Sequence, residues 1–147
     1  MTNKENHEKF MAEALCEAQK AVVESEIPVG AVVVIDNKIV ARAHNLTETL
    51  NDPTAHAEML AITAATNRFG GKYLTEAVLY VTLEPCAMCA SALNWAQIKT
   101  LVYGASDAKK GFSNFSPSLL HPKTTVVSGV MGEECSKIVK EFFKKIR

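Results

Sequence analysis

The sequence has no long hydrophobic run, no surplus of charge of either sign and only four cysteines, and the first of these shortages excludes a class of protein. No apolar stretch approaches the roughly 20 residues that a membrane-spanning helix needs, so we expect no membrane association. Residues 1–8 are polar and no signal-peptide hydrophobic region follows them, so we expect a cytoplasmic protein. Repeats, linkers and low-complexity segments are also missing. A length of 147 residues with 48% hydrophobic side chains therefore predicts one globular domain over residues 1–147.

The four cysteines are placed in a way that argues against a framework of two disulfides. Cys86 and Cys89 are three positions apart and accompany a histidine motif. In a reducing compartment this pattern favours metal or redox chemistry. Cys16 and Cys135 each lie on an apolar stripe of helical spacing, so we expect both to be small buried side chains.

The net charge of zero conceals an uneven distribution along the chain. Residues 1–98 carry 7 basic and 12 acidic side chains, whereas residues 99–147 carry 9 basic and 4 acidic ones. An excess of positive charge at one end indicates a polyanionic partner. The plainer alternative is that lysines on an amphipathic helix only keep its outer face in water.

Hydrophobic periodicity and turn residues predict an alternation of helices and strands. Asp36-Asn37 is typical of a tight hairpin turn. Asp52 suits the N-cap of a helix with Pro53 as its first residue, and Pro85 suits the start of another. The predicted elements are a helix over 5–25, strands over 29–35 and 38–44, a helix from 53 to Gly70, a strand over 77–83, a helix over 85–97, strands over 101–105 and 124–128, and a helix from 132 onwards. This order predicts an α/β fold, a three-layer α/β/α sandwich with a mixed five-stranded sheet.

The most informative motif is His56-Ala57-Glu58, followed by Pro85 and the Cys-x-x-Cys pair. His56, Cys86 and Cys89 are ligands that suit zinc. A structural zinc site normally has four protein ligands, whereas a catalytic site has three and leaves the fourth position to water. No fourth candidate accompanies these three, so we predict one catalytic zinc ion per chain, with Glu58 as a carboxylate that is not a ligand.

The spacing of these residues also constrains how they meet. Cys86 and Cys89 share one face at a helix start, where unpaired N–H groups and the helix dipole favour thiolates. In a regular helix His56 and Glu58 would point about 200° apart. Both can reach one site only if it lies over the end of their helix. We therefore expect two helices whose N-termini meet at the site.

H-x-E followed by P-C-x-x-C is the signature of zinc-dependent nucleobase deaminases, and longer segments narrow the resemblance. The sequence closely resembles the bacterial tRNA-specific adenosine deaminases from near Ile27 to the last helix. The segments Thr82–Cys86 and Asp107–Gly111 favour this branch over the free-base deaminases. The segments that carry the resemblance are Asn45, 52–59, 79–89, 103–111 and 120–122.

The resemblance implies a cytidine deaminase-like fold and a homodimer that deaminates adenosine to inosine at the wobble position of a tRNA anticodon loop, in an arginine tRNA. The base would be flipped into the zinc pocket. Zinc lowers the pKa of its bound water to about 7, and the resulting hydroxide would attack the purine. Glu58 would carry protons from the water to the ring nitrogen and to the departing ammonia. Such a carboxyl should be shielded from water and have a raised pKa.

The resemblance also implies a set of substrate contacts. Asn45 would contact the nucleotide, Glu84 would lie behind the zinc helix, and the last helix would bind phosphates through its lysines and Arg147. As plainer alternatives, Asn45 is a turn residue and Glu84 a helix cap. The remaining predicted contacts are Val29, Ala31 and Leu83 as pocket walls, or ordinary core, and Asp107 and Lys109 at the flanking nucleotides, or surface loop.

Two other functions remain open at this stage. A free-base or nucleoside deaminase acting on guanine or cytosine would use the same zinc site. A non-catalytic zinc-binding or RNA-binding module would have no use for Glu58. The basic C-terminal part and the predicted exposed rings of Phe112 and Phe115 favour RNA, because readers of single strands combine basic tracks with stacking surfaces.

Overall fold

A computed structural model describes residues 3–146, and these form a five-stranded sheet with two helices on each face. The strand order is β2-β1-β3-β4-β5. β1 is antiparallel to both of its neighbours, and β3, β4 and β5 are parallel. The elements are α1 (Asn3–Val23), β1 (Gly30–Ile35), β2 (Lys38–His44), α2 (Ala57–Phe69), β3 (Val78–Leu83), α3 (Ala87–Ala96), β4 (Thr100–Ala105), a short 3₁₀ helix (Phe112–Asn114), β5 (Thr125–Val127) and α4 (Gly132–Lys145). The predicted mixed sheet of the α/β/α sandwich is confirmed.

Alternation along the central strands divides the core into two layers, because successive strand side chains point to opposite faces. Val33 and Leu79 pack with the alanines of α2 and with α3 on one side of the sheet. Val32 and Tyr80 pack with Phe10 of α1 and with α4 on the other side. The sheet is therefore covered on both faces, and α2 and α3 lie side by side on the same face.

The predicted starts of α2 and α3 are wrong by a few residues. The Asp52 carboxylate accepts hydrogen bonds from the Thr54 amide at 2.8 Å and the Thr54 hydroxyl at 2.7 Å. Asp52 thus closes a local turn that competes with helix formation, as Asx side chains often do. The N-cap of α2 is His56, with extended φ and ψ of −72° and 152°. Cys86 is likewise the N-cap of α3, and Pro85 lies before it.

Other local predictions have mixed outcomes. Asp36 and Asn37 both have positive φ, which confirms the tight turn between β1 and β2. Gly70 ends α2 with φ of 84°, as expected. Cys135 is buried, but Cys16 is exposed and its prediction is wrong. Cys16 lies about 200° around α1 from Ala14, which is in the buried stripe, and so faces water.

Among residues 3–146, none of the helices is both long enough and apolar enough to cross a bilayer.

Candidate active site

The N-termini of α2 and α3 bring three potential zinc ligands together. Nδ1 of His56 lies 3.7 Å from Sγ of Cys86 and 3.5 Å from Sγ of Cys89. All three ligand atoms lie within 4.8 Å of one another. Zn–N and Zn–S bonds of about 2.0 and 2.3 Å at a tetrahedral angle would place nitrogen and sulfur about 3.5 Å apart. The three residues therefore fit a zinc ion with one coordination position left open.

The N-cap position of His56 explains how the histidine and Glu58 face one site. Because the backbone of His56 is extended, its side chain does not follow the helical wheel of α2. The imidazole lies over the end of the helix, while Glu58 follows in the first turn. Because His56 precedes the first turn of α2, the separation of about 200° that a regular helix would impose on His56 and Glu58 does not apply. The expected meeting of two helix N-termini is confirmed.

The electrostatics of the ligands favour a thiolate. A hydrogen bond with the Cys89 thiol and another with His56 lower the pKa of Cys86 to about 3. The same contact with Cys86, together with burial, raises the pKa of Cys89. The hydrogen bond between His56 and Cys86 raises the pKa of His56. Cys86 is thus a thiolate that can bind a cation. Cys89 keeps its proton, and a metal that binds both sulfur atoms must displace the proton of Cys89.

Glu58 has the properties expected of a proton carrier. Its side chain is almost completely buried. Burial disfavours the charged form and raises the pKa of Glu58 to about 7. Near neutral pH both protonation states are populated, which suits a group that must accept and then return a proton. The prediction of a shielded carboxyl with a raised pKa is confirmed.

A cavity of about 850 Å³ opens in front of these residues. His56, Glu58 and Cys86 form part of its wall. The predicted contact residues that also line it are Asn45, Val29, Leu83, Glu84, Asp107 and Lys109. Ala31 is different, because its side chain is fully buried in the core between the sheet and α2. The expectation that Ala31 walls the pocket is therefore corrected to a packing role.

Glu84 organises a loop beside the cavity and does not cap α3. Its carboxylate accepts hydrogen bonds from the Asp107 amide at 3.0 Å and from the Ser113 amide and hydroxyl at 3.0 and 2.7 Å. Asp107 in turn accepts hydrogen bonds from the amides of Lys109 and Lys110, both at 3.1 Å. The 106–113 segment is therefore held as a compact turn that exposes its two lysines.

One wall of the cavity is a face of α4. The lysines of this helix were expected to bind phosphates, but its other lining residues were not identified from the sequence. The lining residues on this helix are Ser136, Val139, Lys140 and Phe143. Their spacing of three and four positions is typical of one helix face, and this periodicity is the signal that could have identified them. From the sequence, the stacking role was expected of Phe112 and Phe115 and not of Phe143. Phe112 is buried against Tyr103 in an edge-to-face contact, so its expected exposure is wrong, whereas Phe115 is exposed as expected.

Most of the remaining lining residues come from loops around the zinc ligands. Thr47 belongs to the segment that follows β2, and Ile27 to the segment before β1. The set is completed by Ala57 at the start of α2, Ala105 at the end of β4, and Ser106, Ala108 and Lys110 in the loop after it. On α4, Lys144 and Lys145 are exposed, and Arg147 lies outside the described residues.

Comparisons with known proteins agree with this site. Residues 4–105 match the family described as the cytidine and deoxycytidylate deaminase zinc-binding region. The chain is 46% identical over 145 residues to the tRNA-specific adenosine deaminase of Bacillus subtilis, covering 95% of this chain and 90% of that protein.

Two solved structures are also similar. One, from a study of A-to-I editing by tRNA A34 deaminases at the wobble position, has a TM-score of 0.83 and 43% identity, covering 88% of this chain and 98% of that chain. The guanine deaminase of Bacillus subtilis has a TM-score of 0.65 and 40% identity, covering 72% of this chain and 66% of that one. The family match and these relatives, together with the geometry of the three ligands, show that the chain belongs to the zinc-binding cytidine and deoxycytidylate deaminase family, among the tRNA-specific adenosine deaminases.

Proposed function

We propose that this protein hydrolyses adenosine to inosine at the wobble position of a tRNA anticodon, and that its substrate is an arginine tRNA. The observation that carries the proposal is the position of Glu58. This buried carboxyl, with a pKa of about 7, lies beside a three-ligand zinc site and faces a cavity. A purely structural metal site would have no use for a proton carrier there.

His56, Cys86 and Cys89 would hold the zinc ion. When bound, zinc would act as a Lewis acid that lowers the pKa of water to about 7. Ionised Glu58 accepts a proton from the water while the water oxygen bonds to the purine carbon that carries the amino group. Glu58 then passes this proton to the adjacent ring nitrogen. Glu58 then carries the proton of the new hydroxyl group to the amine. The carbon–nitrogen bond breaks, ammonia leaves, and the ring keeps a carbonyl group, so that atoms and protons balance.

The cavity supports a substrate that is larger than a free base. Its volume of about 850 Å³ exceeds the needs of a purine alone, so a nucleotide turned out of the anticodon loop can enter with its sugar. Asn45 would contact this nucleotide, with Val29 and Leu83 as apolar walls. Glu84 would act on the substrate through the loop that it holds.

The rim of the cavity combines positive charge with an aromatic ring. Lys109, Lys110 and Lys140 lie on it, and the Phe143 ring is 38% exposed. Lysines that follow a phosphate backbone next to a stacking surface are typical of proteins that bind single strands. We propose that Asp107 fixes the loop that presents Lys109 and Lys110 to the flanking nucleotides.

The decisive experiment compares substrates. Purified zinc-loaded protein is incubated with an arginine-tRNA anticodon stem-loop carrying adenosine at the wobble position, and inosine is measured by nucleoside mass spectrometry. A matched stem-loop with adenosine moved to the neighbouring position is the control. Free guanine, cytosine, adenosine and cytidine are tested for ammonia release. We expect inosine from the first stem-loop only.

Guanine deamination is the second candidate, favoured by the 40% identity to a guanine deaminase. Ammonia from guanine without inosine from the stem-loop would replace the proposed function with this one. Stem-loops of other tRNAs that carry wobble adenosine test the arginine assignment. Equal rates on all of them would contradict it.

We further propose that residues 1–147 act as one domain in a homodimer, with one zinc ion per chain, in the cytoplasm. Trp95 supports the dimer, because this large ring is 83% exposed on α3, the helix that carries both cysteine ligands. Thiolate ligands support a reducing compartment. Sedimentation analysis of wild type and of Trp95→Glu tests the dimer, and we expect the substitution to shift the protein towards the monomer. An unchanged dimer would exclude Trp95 from the interface.

A further inference from the structure

One of the buried carboxylates outside the zinc site, that of Glu26, has no place in the chemistry described above. Glu26 follows α1, where Ser25 with φ of 59° reverses the chain. Its side chain is fully buried. The Glu26 amide donates to the carbonyl of Ala21 at 2.9 Å, which fixes the backbone that presents the carboxylate. A buried carboxylate needs hydrogen-bond donors to offset its loss of hydration, and a neighbouring loop supplies them.

The donors come from one short segment after β2. The amide of Glu48 donates to Oε1 of Glu26 at 3.0 Å, and the amide and hydroxyl of Thr49 both donate to Oε2 at 2.6 Å. The Thr47 hydroxyl lies 3.5 Å from Oε1. Backbone amides that converge on one carboxylate are typical of an anchored turn. Glu26 therefore fixes residues 47–49 from inside the protein.

The anchored turn is connected to the cavity. Nδ2 of Asn45 donates to the Thr47 hydroxyl at 3.3 Å, and both residues line the cavity. The same segment is joined to the chain before α2, since the Leu46 amide donates to the carbonyl of Ala55 at 3.0 Å. The turn thus orients the Asn45 amide and lies next to the residue that precedes the ligand His56.

We propose that Glu26 is a positioning residue that sets the orientation of Asn45 towards the substrate by anchoring the 47–49 turn. The inference rests on the proposed function because it takes Asn45 as a substrate contact. Glu26 itself does not line the cavity. Its effect must pass through the turn, so its loss should disturb substrate use and leave the zinc ligands in place.

The chemistry of the contacts explains why a carboxylate is required. Both oxygens of Glu26 act as acceptors, and the two backbone amides can only donate. A glutamine has the same shape but offers one oxygen and one NH₂ group. In Glu26→Gln one backbone N–H must face the NH₂ group or lose its partner, and a buried donor without a partner is destabilising. The turn should then move, and Asn45 with it.

The test compares Glu26→Gln with Glu76→Gln, a matched change at a carboxylate that is 73% exposed. Zinc per chain, kcat and KM on the wobble-adenosine stem-loop, and hydrogen exchange of the Glu48 and Thr49 amides are measured. We expect Glu26→Gln to keep its zinc, to speed exchange of both amides, and to lower kcat/KM about tenfold. Equal kcat/KM in the two variants would overturn the proposal.

A double-mutant cycle with Asn45→Ala separates positioning from general destabilisation. If Glu26 acts through Asn45, the double variant should have the same kcat/KM as Asn45→Ala alone. Additive losses would refute the link. If Glu26→Gln does not fold, Thr47→Val replaces it, because this change cuts the bond to Asn45 and keeps the bonds of Glu26 to residues 48 and 49.

The outcome is distinguishable from failure of the proposed function. If the wild type deaminates guanine and not the stem-loop, the proposed function fails, and the same cycle is run with guanine. If amide exchange in Glu26→Gln matches that in Glu76→Gln, the anchoring contact itself is refuted, whatever the substrate.

Discussion

Replacing Gly111 by alanine tests how firmly Glu84 holds the loop beside the cavity. Gly111 has φ of −62°, which any residue can adopt, so its backbone conformation does not require glycine. Its role is to leave space. A Cβ atom at this position would lie 2.3 Å from both Cδ and Oε2 of Glu84. The backbone at Gly111 cannot easily move away from Glu84, because the amide of the next residue, Phe112, donates to the Pro85 carbonyl at 2.9 Å.

The magnitude follows from the hydrogen bonds that Glu84 would lose. To restore ordinary contact the carboxylate must move by about 1 Å, which breaks at least two of its three bonds to Asp107 and Ser113. Hydrogen bonds to charged groups contribute about 1.5–3 kcal/mol each. We therefore expect Gly111→Ala to lower the free energy of unfolding by about 3–6 kcal/mol. For a chain of this size the melting temperature should fall by roughly 10 °C.

The assay is urea denaturation followed by circular dichroism at one fixed concentration of free zinc, because bound metal adds to the apparent stability. Gly71→Ala is the matched control, since a Cβ there would meet only the Phe69 ring, at 3.6 Å. We expect the control to lie within about 0.5 kcal/mol of wild type. If Gly111→Ala were as stable as Gly71→Ala, the carboxylate would be mobile and the reasoning would be refuted.

Three further outcomes are expected. Glu58→Gln should keep about one zinc ion per chain by metal analysis, and its turnover should fall by about 10²- to 10⁴-fold, the range for a proton carrier. Loss of zinc in this variant would contradict the role of Glu58. Lys140→Gln should weaken RNA binding and reduce the slope of log affinity against log salt by about one, and an unchanged slope would exclude a phosphate contact. Burial acts to raise the pKa of Glu26, but hydrogen bonds from Thr49, Glu48 and Thr47 outweigh it and leave the pKa below its usual value. A lowered folded pKa gives stability that is present above the unfolded value of 4.5 and is lost as the pH falls through the folded value. The stability gap between wild type and Glu26→Gln should therefore narrow below pH 4.5 in unfolding curves, and a constant gap would argue against the ionised anchor.

Much of the fold could be predicted because its signals are local. Apolar runs with a tight turn predict the first two strands, and Gly70 marks the end of α2. The errors arose where local chemistry competes. Asp52 and Pro53 have the character of a helix start, yet the Asp52 carboxylate bonds to Thr54 and delays the helix to Ala57. Cys16 lies in an apolar sequence, but the packed face of α1 is turned away from it.

The chemistry of this protein follows from residue identity, because His56, Cys86 and Cys89 are groups that can bind zinc and Glu58 is one that can carry a proton. The surroundings of these groups follow from how the chain folds in three dimensions. The Phe143 wall, the Glu84 loop and the Glu26 anchor depend on contacts between residues that lie far apart in the chain. Such contacts depend on how helices pack on the sheet. Periodicity within one segment can show which residues share a helix face, but not what that face packs against.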